Sequence, residues 1–173
     1  SDRRDFKTMA LAGTRKLEDL DVDPFREKER AEQAWVTKEI VELLNESADF
    51  MHVGEVETVK AGKLAHLRTI IKGKMKSHLT TADIANILHP TAAVCGYPKS
   101  LAYRYIEENE ILDRSLYSGY LGRVQKESSS LYVNLRCMSY KEGMIKVYVG
   151  AGITADSDPE LETEEIRMKT STL

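Results

Sequence analysis

The spacing of apolar residues changes along this 173-residue chain, and that change limits its fold more than any other feature. Val36, Ile40 and Leu44 recur at helical spacing, which predicts a helix over residues 26–45. Elsewhere apolar and polar residues alternate, or short apolar runs lie between turn residues, and this predicts strands over 53–59, 64–71, 116–124, 130–137 and 144–149. Further helices are predicted over 80–88, 98–108 and 158–173, whereas residues 1–24 are polar and turn-rich.

Short turns join the later strands, as at residues 141–143, so neighbouring strands should run antiparallel. The chain is therefore predicted to have an α+β fold in which helices pack on an antiparallel β-sheet. Residues 1–173 contain no repeat and no low-complexity linker, and we expect one domain.

Composition limits the partners and the compartment. A net charge of −3 and a pI near 5.9 argue against nucleic acid as a ligand. The chain has no run of 18 apolar residues, so no membrane span is predicted. Cys95 and Cys137 lie far apart, outside any metal-binding spacing, and we expect free thiols in a reducing cytoplasm.

Carboxylates stand where the helical pattern predicts the apolar side of two helices. Glu29 and Glu32 share a stripe of the first helix with Val36, and Glu162 and Glu165 share a stripe of the last helix. A buried carboxylate needs a cation or strong hydrogen bonds. The two pairs could meet around one hard divalent ion, and oxygen ligands suit Mg²⁺.

The same spacing is also typical of solvated helix faces, and this alternative stays open. Glu39 falls on the same face of the first helix, and Glu165 could simply pair with Lys169 one turn later.

Three further features have both a functional and a structural interpretation. Arg136 lies inside a predicted strand, where it could grip a carboxylate or face solvent. The run Gly150-Ala151-Gly152 follows a strand and could cradle an anion with backbone N–H groups, but it matches no nucleotide-binding motif. His66 is more typical of a hydrogen-bonded strand histidine than of a catalyst.

The order of the motifs resembles the C-terminal part of the chorismate-utilising enzymes, which include isochorismate, anthranilate, aminodeoxychorismate and salicylate synthases. The motifs that carry the resemblance are LAGTR at 11–15, KERAE at 28–32, LAHL at 64–67, LHPTAAVCG at 88–96, DRSLYSG at 113–119, NLRC at 134–137, GAGI at 150–153 and ETEEIRMK at 162–169.

The resemblance assigns the metal-binding residues, which lie on the two acidic helices. It implies that Glu32 and Glu165 bind Mg²⁺ and that Glu29 and Glu162 support them one turn earlier. Lys169, beside the metal-binding helix, is expected to bind substrate.

The resemblance also assigns the substrate-binding residues. Chorismate is expected to contact Gly13 and Thr14, and a substrate carboxylate is expected to be held by Tyr117, Arg136 and the backbone N–H of Gly150. His66 would lie near the reacting edge of the ring. Residues 89–98, which we call the ring wall, would face the flat ring through Ala93 and Val94.

The ring wall reads HPTAAVCGYP, a form typical of isochorismate synthases, whereas salicylate synthases have threonine at the position of Ala93. The implied reaction is the Mg²⁺-dependent isomerisation of chorismate to isochorismate, for menaquinone or siderophore synthesis. Another enzyme of the family or a non-catalytic binding module is the alternative.

In isochorismate synthases the general-acid glutamate lies in an SPE motif upstream of the AGT turn, and the lysine that activates water lies earlier still. Residues 1–173 contain neither motif. We therefore expect residues 1–173 to be the C-terminal part of a chorismate-binding domain and to be inactive alone. We also expect an uncovered apolar surface on strands 116–149 and self-association through it.

Overall fold

The computed structural model describes residues 4–21 and 25–171 of the chain. Its elements, in chain order, are β1 (Asp5–Lys16), a short 3-10 helix (Leu17–Asp19), α1 (Glu27–Asn45), β2 (Ala48–Ala61), β3 (Leu64–Met75), α2 (Thr81–Leu88), α3 (Lys99–Asn109), β4 (Tyr120–Val124), β5 (Ser129–Val133), β6 (Cys137–Lys141), β7 (Met144–Tyr148) and α4 (Pro159–Thr170). The strand pairs in these ranges are antiparallel, so the predicted α+β class is confirmed.

A three-stranded sheet in the order β1-β3-β2 carries the main core. Helix α1 packs on this sheet, and its Val36, Ile40 and Leu44 are buried in one cluster with Ala10 of β1 and Ile71 of β3. The helical spacing of the three α1 residues places them on one face, so burial of that face fixes how α1 lies on the sheet.

Strand β1 occupies residues that were predicted to be turn-rich, and that prediction is wrong. The strand pairs with β3 from Asp5 opposite Lys74 to Lys16 opposite Leu64. Only Ala10 and Gly13 of its residues are buried. Backbone pairing with the central strand thus extends over residues with few buried side chains, and the hydrophobic pattern of β1 is correspondingly weak. Residues 1–3 and 22–24 lie outside the described residues.

The C-terminal strands form two separate hairpins, β4–β5 and β6–β7. The strand predicted over 130–137 is wrong in its second half, because β5 ends at Val133 and β6 begins only at Cys137. Between them Arg136 has a left-handed φ of 48°. The turn predicted at 141–143 is confirmed, with positive φ values at Glu142 and Gly143.

Both hairpins leave apolar side chains uncovered. A two-stranded hairpin by itself is marginally stable in water, and large apolar patches mark interaction surfaces or aggregation sites. Self-association through this surface stays a prediction. Its large side chains that are more than half exposed are Leu121, Val124, Tyr132, Met138, Tyr140, Met144 and Ile145.

The helix predicted over 158–173 is present as α4, which ends at Thr170; residues 172–173 lie outside the described residues. The Asp158 carboxylate accepts hydrogen bonds from the backbone N–H groups of Glu160 and Leu161 and so caps the first turn. Within residues 4–21 and 25–171, every helix is too short or too polar to span a membrane.

Candidate active site

The site begins at a bulge in β1 opposite His66 of β3. The register of the pair shifts between Ala12 and Thr14, and the intervening Gly13 has a φ of 71°. A Cβ at Gly13 would lie 3.0 Å from both the Cβ and the carbonyl oxygen of Glu29 in α1. Glycine is therefore required here for two reasons, the left-handed backbone and the close approach of the helix.

Glu29 is buried beside this bulge and is engaged at the start of α1. Its Oε2 accepts a hydrogen bond from the backbone N–H of Arg26 at 2.7 Å, and its Oε1 lies 4.0 Å from Nη1 of Arg15. The carboxylate thus satisfies a helix N-terminus that would otherwise lack a partner. A supporting role for Glu29 at the metal site stays a prediction.

His66 connects the bulge to the loop between β5 and β6. It is only 6% exposed. Its Nδ1 lies 3.0 Å from the Gly13 carbonyl oxygen and 3.3 Å from the Thr14 hydroxyl. Its Nε2 lies 3.3 Å from Nη2 of Arg136. Burial lowers the pKa of His66, and the positive charge of Arg136 lowers it further.

Tyr117 lies against Gly150 at the end of β7. A Cβ at Gly150 would be 2.7 Å from the Tyr117 hydroxyl oxygen, so glycine is required for space. The Tyr117 ring stacks on Tyr148 with a centroid distance of 6.0 Å. Burial raises the pKa of Tyr117, so the phenol stays protonated at neutral pH and can donate a hydrogen bond.

Lys169 of α4 joins this region to the acidic helices. Its Nζ donates to the Gly150 carbonyl oxygen at 3.0 Å and pairs with Oε1 of Glu165 at 2.6 Å. The Glu165–Lys169 pair that the spacing allowed is therefore present.

Glu32 of α1 lies within electrostatic reach of Glu165 and Glu162 of α4. Burial raises the pKa of Glu32, and the neighbouring charge of Glu165 raises it further, whereas Lys169 and Lys28 lower it. Mutual repulsion of carboxylates in a partly buried position favours a cation between them. Lys28 supplies one such charge, since its Nζ pairs with Oε1 of Glu162.

The alternative that these acidic faces are solvated is wrong for three of the glutamates. Glu29, Glu39 and Glu162 are 7%, 3% and 5% exposed. Oε2 of Glu162 is buried and has no hydrogen-bond partner among the described residues. A buried carboxylate oxygen without a partner is unusual, and a bound cation or water would satisfy it.

The donor chemistry fits a hard divalent ion such as Mg²⁺, which keeps several waters and needs few carboxylates. Within residues 4–21 and 25–171, however, no three acidic, histidine or cysteine side chains converge closely enough to hold an ion. Lys28 and Lys169 pair with Glu162 and Glu165 in this arrangement. An entering ion would therefore compete with two lysine ammonium groups.

Gly152 is the residue that leaves room for Glu32. A Cβ at position 152 would overlap Oε1 of Glu32 and lie 2.9 Å from its Cδ. Gly152 is not among the glycines with positive φ, so it is glycine for space and not for backbone conformation. The Gly150-Ala151-Gly152 run thus makes room for Tyr117 on one side and Glu32 on the other.

The ring wall is held by side chains from outside it. The Lys99 ammonium donates to the His89 carbonyl oxygen at 2.7 Å, and Nη1 of Arg114 donates to the Val94 carbonyl oxygen at 2.8 Å. Ala93 is exposed and Val94 is half-buried. Contact of Ala93 and Val94 with a substrate ring stays a prediction.

Glu39 has a structural role that the sequence did not indicate. Its Oε2 accepts a hydrogen bond from the backbone N–H of Ala92 and so attaches the ring wall to α1. Its Oε1 is buried without a partner among the described residues. Burial raises the pKa of Glu39, against the opposing effects of the Ala92 N–H and of Lys99.

Sequence reasoning also missed Lys28 and Arg114, and it did not indicate that Gly152 makes room for Glu32. Lys28 stands four residues before Glu32, a spacing that puts both on one helix face and was available as a signal. The roles of Gly152 and Arg114 depend on partners distant in the chain, Glu32 and Val94.

An open groove of about 750 Å³ lies between α1 and α3, and its lining includes Glu39, Lys99 and the ring-wall residues Tyr97 and Pro98. His66 and the candidate metal ligands are not in its lining, so the groove borders the ring wall but does not include them.

Comparison with known proteins identifies relatives of this chain. A family model described as "Chorismate binding enzyme" matches residues 1–173. The isochorismate synthase EntC of Escherichia coli is 34% identical over 149 residues, covering 85% of this chain and 38% of that protein. The isochorismate synthase MenF of Haemophilus influenzae is 30% identical over 174 residues, covering 96% and 40%.

The solved structure of MenF, the menaquinone-specific isochorismate synthase from Escherichia coli, superposes with a TM-score of 0.87 at 29% identity, covering 98% of this chain and 41% of that one. The chain thus spans about two fifths of the length of the relatives it matches. With a family model matched along its whole length, this chain belongs to the family of chorismate-binding enzymes.

Proposed function

We propose that the protein carrying this chain is an isochorismate synthase, which isomerises chorismate to isochorismate with Mg²⁺. Its support is the similarity to EntC and MenF, both named isochorismate synthases. One observation in the chain carries the proposal furthest. Lys169 contacts Gly150, which lies beside Tyr117, and it also pairs with Glu165. It therefore links a candidate carboxylate-binding residue to a candidate metal ligand.

In this proposal Arg136 and Tyr117 hold one of the two carboxylates of chorismate. A guanidinium group presents paired N–H donors that match a carboxylate, and the protonated Tyr117 phenol adds another. Gly13 and Thr14 would contact the substrate where the β1 bulge opens, and the Gly150 backbone would border the carboxylate.

Glu32 and Glu165 would bind Mg²⁺ directly, with Glu162 and Glu29 supporting them. When bound, the ion would neutralise the ring carboxylate and stabilise negative charge there. The partnerless Oε2 of Glu162 supports this assignment, because a cation or its water would satisfy it.

The reaction moves a hydroxyl group from C4 to C2 without any change in oxidation state. Water adds at C2 and gives a proton to a base, while the hydroxyl at C4 leaves with a proton from an acid. The resemblance assigns the acid to a glutamate in an SPE motif and the base to a lysine that lies earlier in the chain. Residues 1–173 contain neither the SPE motif nor the motif with that lysine. The described residues would supply binding and orientation.

We place this reaction in the cytoplasm. Cys95 and Cys137 are both free thiols, which supports a reducing compartment.

The experiment is to incubate the purified protein that carries this chain with chorismate, with and without Mg²⁺, ammonia and an isochorismate lyase. Isochorismate formed only with Mg²⁺ is the expected product. Anthranilate in the presence of ammonia would overturn the isomerase assignment, and salicylate without the lyase would make the protein a salicylate synthase.

The metal assignment is tested with Glu32→Gln and Glu165→Gln. Each should abolish turnover and Mg²⁺ binding measured by calorimetry, while thermal unfolding stays cooperative. Glu164→Gln is the matched control, because Glu164 is next to Glu165 but pairs on the surface with Lys16. Equal losses in all three variants would show that the acidic faces are structural.

A further inference from the structure

His66 contacts two separate parts of the fold through its two ring nitrogens. On the Nδ1 side are the Gly13 carbonyl oxygen and the Thr14 hydroxyl, both in the β1 bulge. On the Nε2 side is Nη2 of Arg136, from the loop after β5. The imidazole therefore bridges the bulge and the candidate carboxylate-binding residue.

These partners decide where the imidazole proton lies. A carbonyl oxygen only accepts, so the Nδ1 that faces Gly13 must carry the proton. A guanidinium only donates, so the Nε2 that faces Arg136 must present its lone pair. In the neutral ring, Nδ1 therefore donates to Gly13 and Nε2 accepts from Arg136.

The charges around His66 oppose a second proton. Burial, Arg136 and Lys169 lower its pKa, against the Gly13 carbonyl and the charge of Glu165, which raise it. A proton on Nε2 would also place two donors, imidazole and guanidinium, face to face at 3.3 Å. Proton transfer at His66 would therefore break its bond to Arg136.

The conformation of Arg136 is one that a fixed hydrogen-bond acceptor would stabilise. Its backbone has a left-handed φ of 48°, which is uncommon for a residue with a long side chain, and it lies between strands and not inside one. The guanidinium sits on a four-bond stem with many rotamers, so a fixed acceptor reduces its freedom before a substrate arrives.

We propose that His66 is a positioning residue that holds the Arg136 guanidinium for the substrate carboxylate through Nε2, and that it is not the acid or base of the reaction. This rests on the proposed function for the identity of the substrate. It replaces a role for His66 at the reacting edge of the ring with a role in substrate binding.

Two substitutions of His66 distinguish the role of Nδ1 from the role of Nε2. Asparagine reproduces the Nδ1 donor toward Gly13 but does not reach Arg136, whereas glutamine can place its amide oxygen near the Nε2 position. His66→Asn is expected to raise KM for chorismate about 10- to 100-fold, the loss of one charged hydrogen bond, with kcat changed less than about threefold. His66→Gln is expected to restore most of the loss in KM.

A catalytic role predicts a different result. Loss of an acid or base lowers kcat by about 10² to 10⁴ in both variants and removes a limb of the pH–rate profile. Such a result would overturn the proposal, as would additive effects of His66→Asn and Arg136→Gln in a double-mutant cycle. We expect the double variant to be no worse than Arg136→Gln alone.

A second measurement does not depend on turnover. Nitrogen NMR of the His66 ring is expected to show the neutral Nδ1–H form at neutral pH, and Arg136→Gln should shift the Nε2 resonance. An Nε2–H or protonated ring at neutral pH would refute the positioning role even if chorismate turns over. If the wild type shows this tautomer but neither binds nor converts chorismate, the proposed function fails and the His66–Arg136 coupling stands.

Discussion

Gly152→Ala should separate activity from stability. The new Cβ would overlap Oε1 of Glu32, so the carboxylate would have to withdraw by roughly 1 Å to reach ordinary van der Waals distance. The backbone at position 152 does not require glycine, because its φ is not in the left-handed region. The obstacle is the flexible end of a side chain, so moving it costs about 0.5–1.5 kcal/mol, a typical rotamer distortion.

The displaced group is a candidate Mg²⁺ ligand, and a misplacement of about 1 Å in an active site can cost about 100-fold in rate. We therefore expect Gly152→Ala to lower chorismate turnover by about that factor and to weaken Mg²⁺ binding, measured by calorimetry. The free energy of unfolding, measured in urea, should fall by no more than about 1.5 kcal/mol.

Gly143→Ala is the matched control. Gly143 has a φ of 83° in the β6–β7 turn, and a Cβ there would meet nothing within 4 Å. Alanine should cost about 1–2 kcal/mol of stability through the backbone alone and leave turnover unchanged. If Gly152→Ala keeps wild-type turnover and Mg²⁺ affinity, the position of the Glu32 carboxylate does not matter and the reasoning is wrong.

Three further predictions follow from the fold. Gly13→Ala should destabilise more than Gly62→Ala in urea unfolding, because both have left-handed φ but only Gly13 meets another element; equal losses would remove the close approach to α1 as a cause. Glu39→Gln should gain stability relative to wild type as the pH rises above the ordinary glutamate pKa, because burial raises the pKa of Glu39 and the folded wild type then binds more protons than its unfolded chain. Melting temperatures of the two proteins that do not diverge with rising pH would contradict this prediction. The 173-residue chain should self-associate in light scattering, and Ile145→Lys on the uncovered hairpin should reduce its mean mass, whereas a wild-type monomer would speak against this surface.

Patterns within one element predicted well. The stripe Val36, Ile40 and Leu44 indicated α1 and its buried face, because a helix repeats its side-chain direction every three to four residues. The same periodicity placed Glu32 and Glu165 on the sides of α1 and α4 where the structure brings them into electrostatic contact.

Sequence patterns failed where strand pairing or a single backbone dihedral angle determines the secondary structure. β1 was missed because its stability comes from pairing with β3, which its own residues do not reveal. Arg136 was placed inside a strand because Leu135 and Cys137 flank it with apolar side chains, yet a left-handed backbone at Arg136 separates β5 from β6.

The sequence by itself determined the family, through the order of its motifs, and the set of glutamates, glycines and basic residues from which a site could be built. Only the tertiary structure decided how that set is used. In the structure, Glu29 accepts a hydrogen bond at the start of α1, and Lys28 pairs with Glu162. The two ring nitrogens of His66 face Gly13 and Arg136. The reason is physical: a side chain's pKa, proton position and free lone pairs depend on neighbours that are distant in the chain, as Glu162 is from Lys28, 134 residues away.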